Sequence, residues 1–153
     1  MMPLAILTLL ALLMPFSSQP TRMDADPLST YRWTHRLLVV HFPDTESGLA
    51  ALEAFRTALE ARVDDLRERE LLIVPVGDLP RAGDALWPGL ALIAPERLAV
   101  RQRLGLQSGR AQLVLIGKDG REKARQSAGV FDLARVFALI DGMPMRRGEM
   151  HRR

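Results

Sequence analysis

The six residues Leu37 to Phe42, LLVVHF, are apolar apart from His41, and an unbroken run of that length rich in Leu and Val reads as a strand covered on both faces. A strand with one wet face would alternate apolar and polar residues, so this one belongs to a parallel or mixed sheet flanked by helices. The next segment reads as helical. Asp44 or Thr45 can cap the new element, and Leu49, Leu52, Phe55, Leu59, Val63 and Leu66 recur at steps of three and four. Glu53, Arg56, Glu60, Arg62 and Asp64 fall off that stripe, which predicts one long amphipathic helix.

The rest of the chain repeats the alternation. Leu71 to Val76, LLIVPV, is a second short strand, and Pro75 suits a sheet edge or a strand end because it cannot donate to a ladder. Residues 77–92 hold Pro80, Gly83, Pro88 and Gly89 and read as a loop, with Trp87 as a lid on the core. Pro95 opens a short helix that Gly105 stops. Ala111 to Ile116 and Glu122 to Ser127 flank Gly117-Lys118-Asp119-Gly120-Arg121, and Asp-Gly between two strand-like runs signals a hairpin. Asp132 can cap a last helix with Leu133, Val136, Phe137 and Ile140 on one face, ended by Gly142 and Pro144. The order β-α-β-α-β-β-α predicts an α/β domain of thioredoxin-like topology, three layers deep, with a mixed four-stranded sheet. The Leu37–Phe42 and Ala111–Ile116 strands are expected at its centre.

That topology usually carries cysteines at the turn after the first strand. This chain has none, so disulfides, thiolate zinc sites, iron–sulfur clusters and thiol nucleophiles are all excluded within the polypeptide. The proline that precedes the third strand in thioredoxins falls here on Arg110 or Ala111. His35, His41 and His151 show no metal-ligand spacing and read as ordinary surface or strand-end histidines. No P-loop, dinucleotide fingerprint or nucleophile elbow is present, and no cofactor is implied.

The net charge of +3 is local. Residues 142–153 contain Arg146, Arg147, Arg152 and Arg153 against the single acid Glu149, which leaves the remainder neutral. Nucleic-acid binding therefore has no support from the charge. At the other end, Leu4 to Met14 is apolar except for Thr8, well short of the roughly 20 residues of a membrane-spanning helix. It suits a secretory leader, giving residues 1–25 as signal peptide and linker with cleavage between residues 17 and 26, and residues 28–153 as the exported domain; an uncleaved amphiphilic anchor is the alternative.

The segments YRWTHRLLVV, LVLIGKDGREK and VFALIDGMPMRRGEM resemble a bacterial family known as domain of unknown function 4174, from about Leu28 to Arg153. The resemblance implies a thioredoxin- or peroxiredoxin-like fold and export, with relatives in animal extracellular-matrix proteins. A peroxiredoxin-like activity has been suggested for some members. Its motifs fall on Tyr31, Arg32, Trp33 and Arg36, on Gly117, Lys118, Asp119 and Gly120, and on Asp141, Met143, Pro144, Met145, Arg146, Arg147, Glu149 and Met150.

Two regions are candidates for function. The edge beyond the first strand offers His41, Asp44, Thr45 and Glu46, with Asp78 after the second strand, where α/β folds commonly bind ligands. Its simpler reading is a capped helix with solvated acids. The tail from Met143 can dock an acidic envelope protein or an anionic surface through its arginines. Alternatively Met143 and Met145 pack on the sheet while Arg146 and Arg147 pair with Asp141, Glu149 or other acids, and this structural reading is preferred. The expectation is a cysteine-free binding or structural module of the cell envelope. The alternative is a cysteine-independent enzyme, or a peroxiredoxin-like relative, working from the His41 edge.

Overall fold

Four strands in the order β2-β1-β3-β4 make one mixed sheet in the computed structural model, which describes residues 26–77, 89–127 and 129–152. Strand β1 (Arg36–His41) pairs in parallel with β2 (Leu71–Pro75), Val39 opposite Val74, and antiparallel with β3 (Gln112–Ile116), Val39 opposite Val114. Strand β4 (Glu122–Ser127) pairs antiparallel with β3. The expected topology and the two central strands are therefore present. Every residue of β1 and β3 is buried, as an apolar run covered on both faces requires. Pro75 sits on an edge strand, and the other edge, β4, is largely exposed and polar.

Helices cover both faces. Leu38, Val40, Leu113 and Leu115 face one core with Leu52, Phe55 and Leu59 of α1 (Glu46–Glu60), Leu66 of α2 (Val63–Glu68) and Val136 and Ile140 of α4 (Leu133–Asp141). Leu37, Val39, Val74 and Val114 face a second core with Val100 of α3 (Ala94–Leu104) and with Leu28. Phe42, Phe55 and Phe131 meet with ring centroids 5.6 to 5.9 Å apart in the first core.

The caps match the local sequence. Thr45 Oγ1 accepts from the Gly48 amide at 3.1 Å, Asp132 accepts from the Arg135 amide at 2.9 Å, and Gly105 ends α3 with φ of 60°. Gly48 is obligatory for another reason: a Cβ there would lie 1.9 Å from the Pro43 carbonyl oxygen. Gly120, with φ of 77°, closes the β3–β4 turn.

Two expectations need correction. The stripe from Leu49 to Leu66 is not one helix: the chain breaks at Ala61–Arg62, where the Arg62 amide returns to the Leu59 carbonyl, and Leu49 is exposed. No Gly or Pro marks that break. The chain also does not end its helices at Gly142. Pro144 is the first residue of a further helix, α5 (Pro144–His151), because proline's fixed φ and missing amide suit a helix start as well as they punctuate a helix end. The leader at 1–25, Trp87 and the 78–88 part of the long loop lie outside the described residues. Beyond that loop Gly89 bridges to Ile73 in parallel, and the Leu90 amide donates to the Ile73 carbonyl at 2.8 Å.

Candidate functional site

The carboxyl end of β1 carries the first candidate edge. His41, the last residue of β1, is buried, and its Nε2 lies 3.3 Å from the Ser108 carbonyl oxygen. His41 and Asp44 share the wall of a cleft of about 350 Å³ with Leu98, Arg101, Gln102 and Ser108. Thr45 and Glu46 do not reach that wall. Thr45 caps α1 and also contacts Ser47 Oγ at 3.1 Å, while Glu46 is the exposed first residue of α1, beside the helix's positive end. Asp78 lies outside the described residues. The capped-helix reading thus accounts for Thr45 and Glu46, and leaves His41 and Asp44 as the pair that a ligand in the cleft would meet.

The motif residues gather at the opposite end of the sheet. Tyr31 closes a 3₁₀ turn, Ser29–Tyr31, and packs against the second core. Trp33, 66% exposed and with φ of 68°, donates its amide to the Lys118 carbonyl at 2.7 Å. A Cβ on Gly120 would run into the Arg32 side chain. The segment before β1 therefore wraps the Gly117–Gly120 turn, joining two motifs separated by about eighty residues in sequence.

Beneath that turn lies a network of buried charge. Arg36 and Arg146 are each 1% exposed. Both oxygens of Glu149 receive Arg36: Nη1 donates to Oε2 and Nη2 to Oε1, each at 3.3 Å. Arg36 Nη1 also donates to the Arg69 carbonyl at 2.9 Å. Lys118 Nζ donates to Glu149 Oε1 at 2.6 Å and pairs with Glu70. Arg146 donates to the Glu68 carboxylate at 2.7 Å, the Glu68 carbonyl at 2.9 Å and Asp141 at 3.3 Å. Arg69 closes the set, donating to Asp141 at 2.7 Å while its guanidinium carbon sits 4.9 Å from the centre of the Phe137 ring.

Burial raises the carboxyl pKa of Glu149 and of Asp141, and hydrogen bonds and charge outweigh it: Lys118 and Arg36 at Glu149, Arg69 and Arg146 at Asp141. Both acids are held below their ordinary range, so both are ionised at neutral pH. A buried charge without a partner would cost several kcal/mol, which is why each cation here meets a carboxylate.

The motif reading of the tail divides accordingly. Arg146, Glu149 and Asp141 enter the network, and Met143 packs half-buried on the first core. Met145 and Met150 do not pack on the sheet: they are 43% and 40% exposed, because the side of α5 facing inward is taken by Arg146 and Glu149. Arg147 and Arg152 are exposed. The sequence marks Arg36 only as a motif position, with no sign of its partners, and Glu68, Arg69 and Glu70 are not among its candidates. The run Arg67-Glu68-Arg69-Glu70, set directly against an apolar strand, was the one local signal. Glu70 itself adopts φ of 48°, which turns the chain into β2 beside Lys118.

Beside the network opens a cleft of about 660 Å³, lined by Leu139, Met143, Pro144 and Met145 and by Arg36, Lys118, Asp119 and Lys123. Lys123 is paired with Asp119 at 2.7 Å. Among the described residues there is no group of three or more acids or histidines placed to hold a metal ion.

Residues 27–149, which contain nearly every element above, match the domain of unknown function DUF4174. The chain belongs to that family. Coiled-coil domain-containing protein 80 of Danio rerio is 28% identical over 133 residues, covering 80% of this chain and 15% of its own length, so this DUF4174 chain spans a small part of that relative. Among solved structures it is similar to a reduced 2-Cys peroxiredoxin of Plasmodium vivax, with TM-score 0.56 and 12% identity over 79% of this chain and 72% of that one. Thioredoxin peroxidase I of Plasmodium yoelii aligns with TM-score 0.53 and 16% identity over 79% of each chain. At these identities the likeness is one of fold. The domain has a thioredoxin- and peroxiredoxin-like fold and no cysteine.

Proposed function

We propose that this DUF4174 domain is a non-redox binding or structural module of the cell envelope, exported after removal of a leader within residues 1–25. The observation that carries the reading is the use made of the motif residues. Arg36, Lys118, Asp141, Arg146 and Glu149 are engaged with one another and with Glu68, Arg69 and Glu70 at the end of the sheet away from His41. The His41 edge, where the fold family places its thiols, has no thiol to offer. The apolar stretch Leu4 to Met14 supports export. Amino-terminal sequencing of protein recovered from the envelope checks that part: a start between residues 17 and 26 is expected, and an intact Met1 contradicts it.

The function itself is tested with the purified protein in peroxide, and separately with insulin and dithiothreitol. No rate above buffer is expected in either assay. Turnover would contradict the reading and move attention to His41 and Asp44, whose joint replacement by Ala would then remove the rate.

A further inference from the structure

We infer that Arg36 and Lys118 form a receptor for a carboxylate borne on an aliphatic body, and that Glu149 of α5 occupies this receptor from within the same chain. The inference deepens the binding-module reading and rests on it. Three observations converge. First, Arg36 offers both terminal nitrogens to the two oxygens of Glu149 while Lys118 approaches one of them at 2.6 Å, the fork-and-ammonium arrangement that recognises a carboxylate from any source. Arg36 Nε, also buried, has no hydrogen-bond partner among the described residues, so the bed retains a further donor.

Second, Arg36 and Lys118 line the 660 Å³ cleft together with Leu139, Met143, Pro144 and Met145, and the one carboxylate in that lining, Asp119, is neutralised by Lys123 at 2.7 Å. Its volume falls within the roughly 300–1,000 Å³ of small-ligand sites. The flexible methionine side chains adapt to aliphatic shapes, whereas a strongly hydrated phosphate would gain nothing from such a wall.

Third, the helix that supplies Glu149 is held by charge. Arg146 is the one buried residue of α5, and Met145 and Met150 remain exposed. Lifting α5 therefore exposes little apolar surface. It does strip Arg36 of the only carboxylate within ion-pair distance among the described residues, so the group that replaces Glu149 must itself be anionic. Aliphatic wall and anionic head together specify an acyl monocarboxylate, entering as Glu149 leaves.

The test titrates octanoate, below its micellar concentration, into the full-length protein and into Glu149→Gln, with octanol as the uncharged control. Glu149→Gln is expected to bind octanoate at least about tenfold more tightly than the parent, with octanol unchanged. Replacing Lys118 by Met in that background should reverse the gain. A folded Glu149→Gln that binds octanoate no better, or that gains equally for octanol, would overturn the inference. Should Glu149→Gln not fold, the parent decides through the methyl resonances of Met143 and Met145. Octanoate is expected to shift them, and Leu139→Trp, which fills the cleft, should abolish the shift. Unshifted resonances in the parent, or a shift that survives Leu139→Trp, overturn it too. Peroxide or insulin turnover would remove the binding-module reading whatever octanoate does; failure of the octanoate test alone removes only the ligand.

Discussion

Arg36 and Glu149, 113 residues apart, face each other through two parallel hydrogen bonds at 3.3 Å, with the arginine buried and the glutamate nearly so. The pair fastens α5 to the first residue of the central strand. Breaking one side of a buried pair leaves the other charge uncompensated and typically costs about 3–5 kcal/mol, whereas replacing both sides with apolar residues of similar volume can be nearly neutral. Arg36→Met and Glu149→Leu are each expected to destabilise by an amount in that range, and the double variant by clearly less than their sum. Urea denaturation measures it. Additive losses would mean that the two residues do not act as a pair.

The same pair sets an acid limit. Glu149 and Asp141 have folded-state pKa values below their unfolded ones, which are about 4.3 and 3.9. Groups depressed in this sense contribute stability that is fully present above the unfolded pKa and is lost as pH falls through the folded one. The stability difference between the parent and Glu149→Gln is therefore expected to stay constant from pH 7 to 5 and to shrink below about pH 4. Thermal midpoints of both proteins across that range check it. A difference that vanishes already at pH 5 would show that Glu149 is not held ionised by Arg36 and Lys118.

Thr45 separates two uses of the His41 edge. Its hydroxyl caps α1 through the Gly48 amide, so Thr45→Ala should cost about 1 kcal/mol, and Thr45→Ser should restore most of it. Chemical denaturation of the three proteins provides the measurement. A Thr45→Ala protein as stable as the parent would return Thr45 to the residues held ready for chemistry.

The features legible in the sequence are those encoded locally. The buried strand LLVVHF, the Asp119-Gly120 turn, the Thr45 and Asp132 caps and the Gly105 stop each depend on a few adjacent residues, and all lie where the pattern put them. The network was not legible in this way. Arg36, Glu70, Lys118 and Glu149 come from four distant segments, and nothing in the neighbourhood of Arg36 distinguishes a buried arginine from a solvated one. The break at Ala61–Arg62 lacks a breaker residue, so tertiary packing decided it against an uninterrupted apolar stripe. Pro144 was ambiguous because proline both succeeds helices and begins them.

Helix α5 completes the fold through Arg146 and Glu149 and is not an appended basic tail. The most direct test is the thermal midpoint of a chain ending at Met143. Loss of the carboxylate on Arg36 and of the Arg146 pairs should lower the midpoint by more than about 10 °C, given a cost of roughly 3–5 kcal/mol and a few degrees per kcal/mol for a domain of this size. A truncated protein that melts with the parent would contradict the claim.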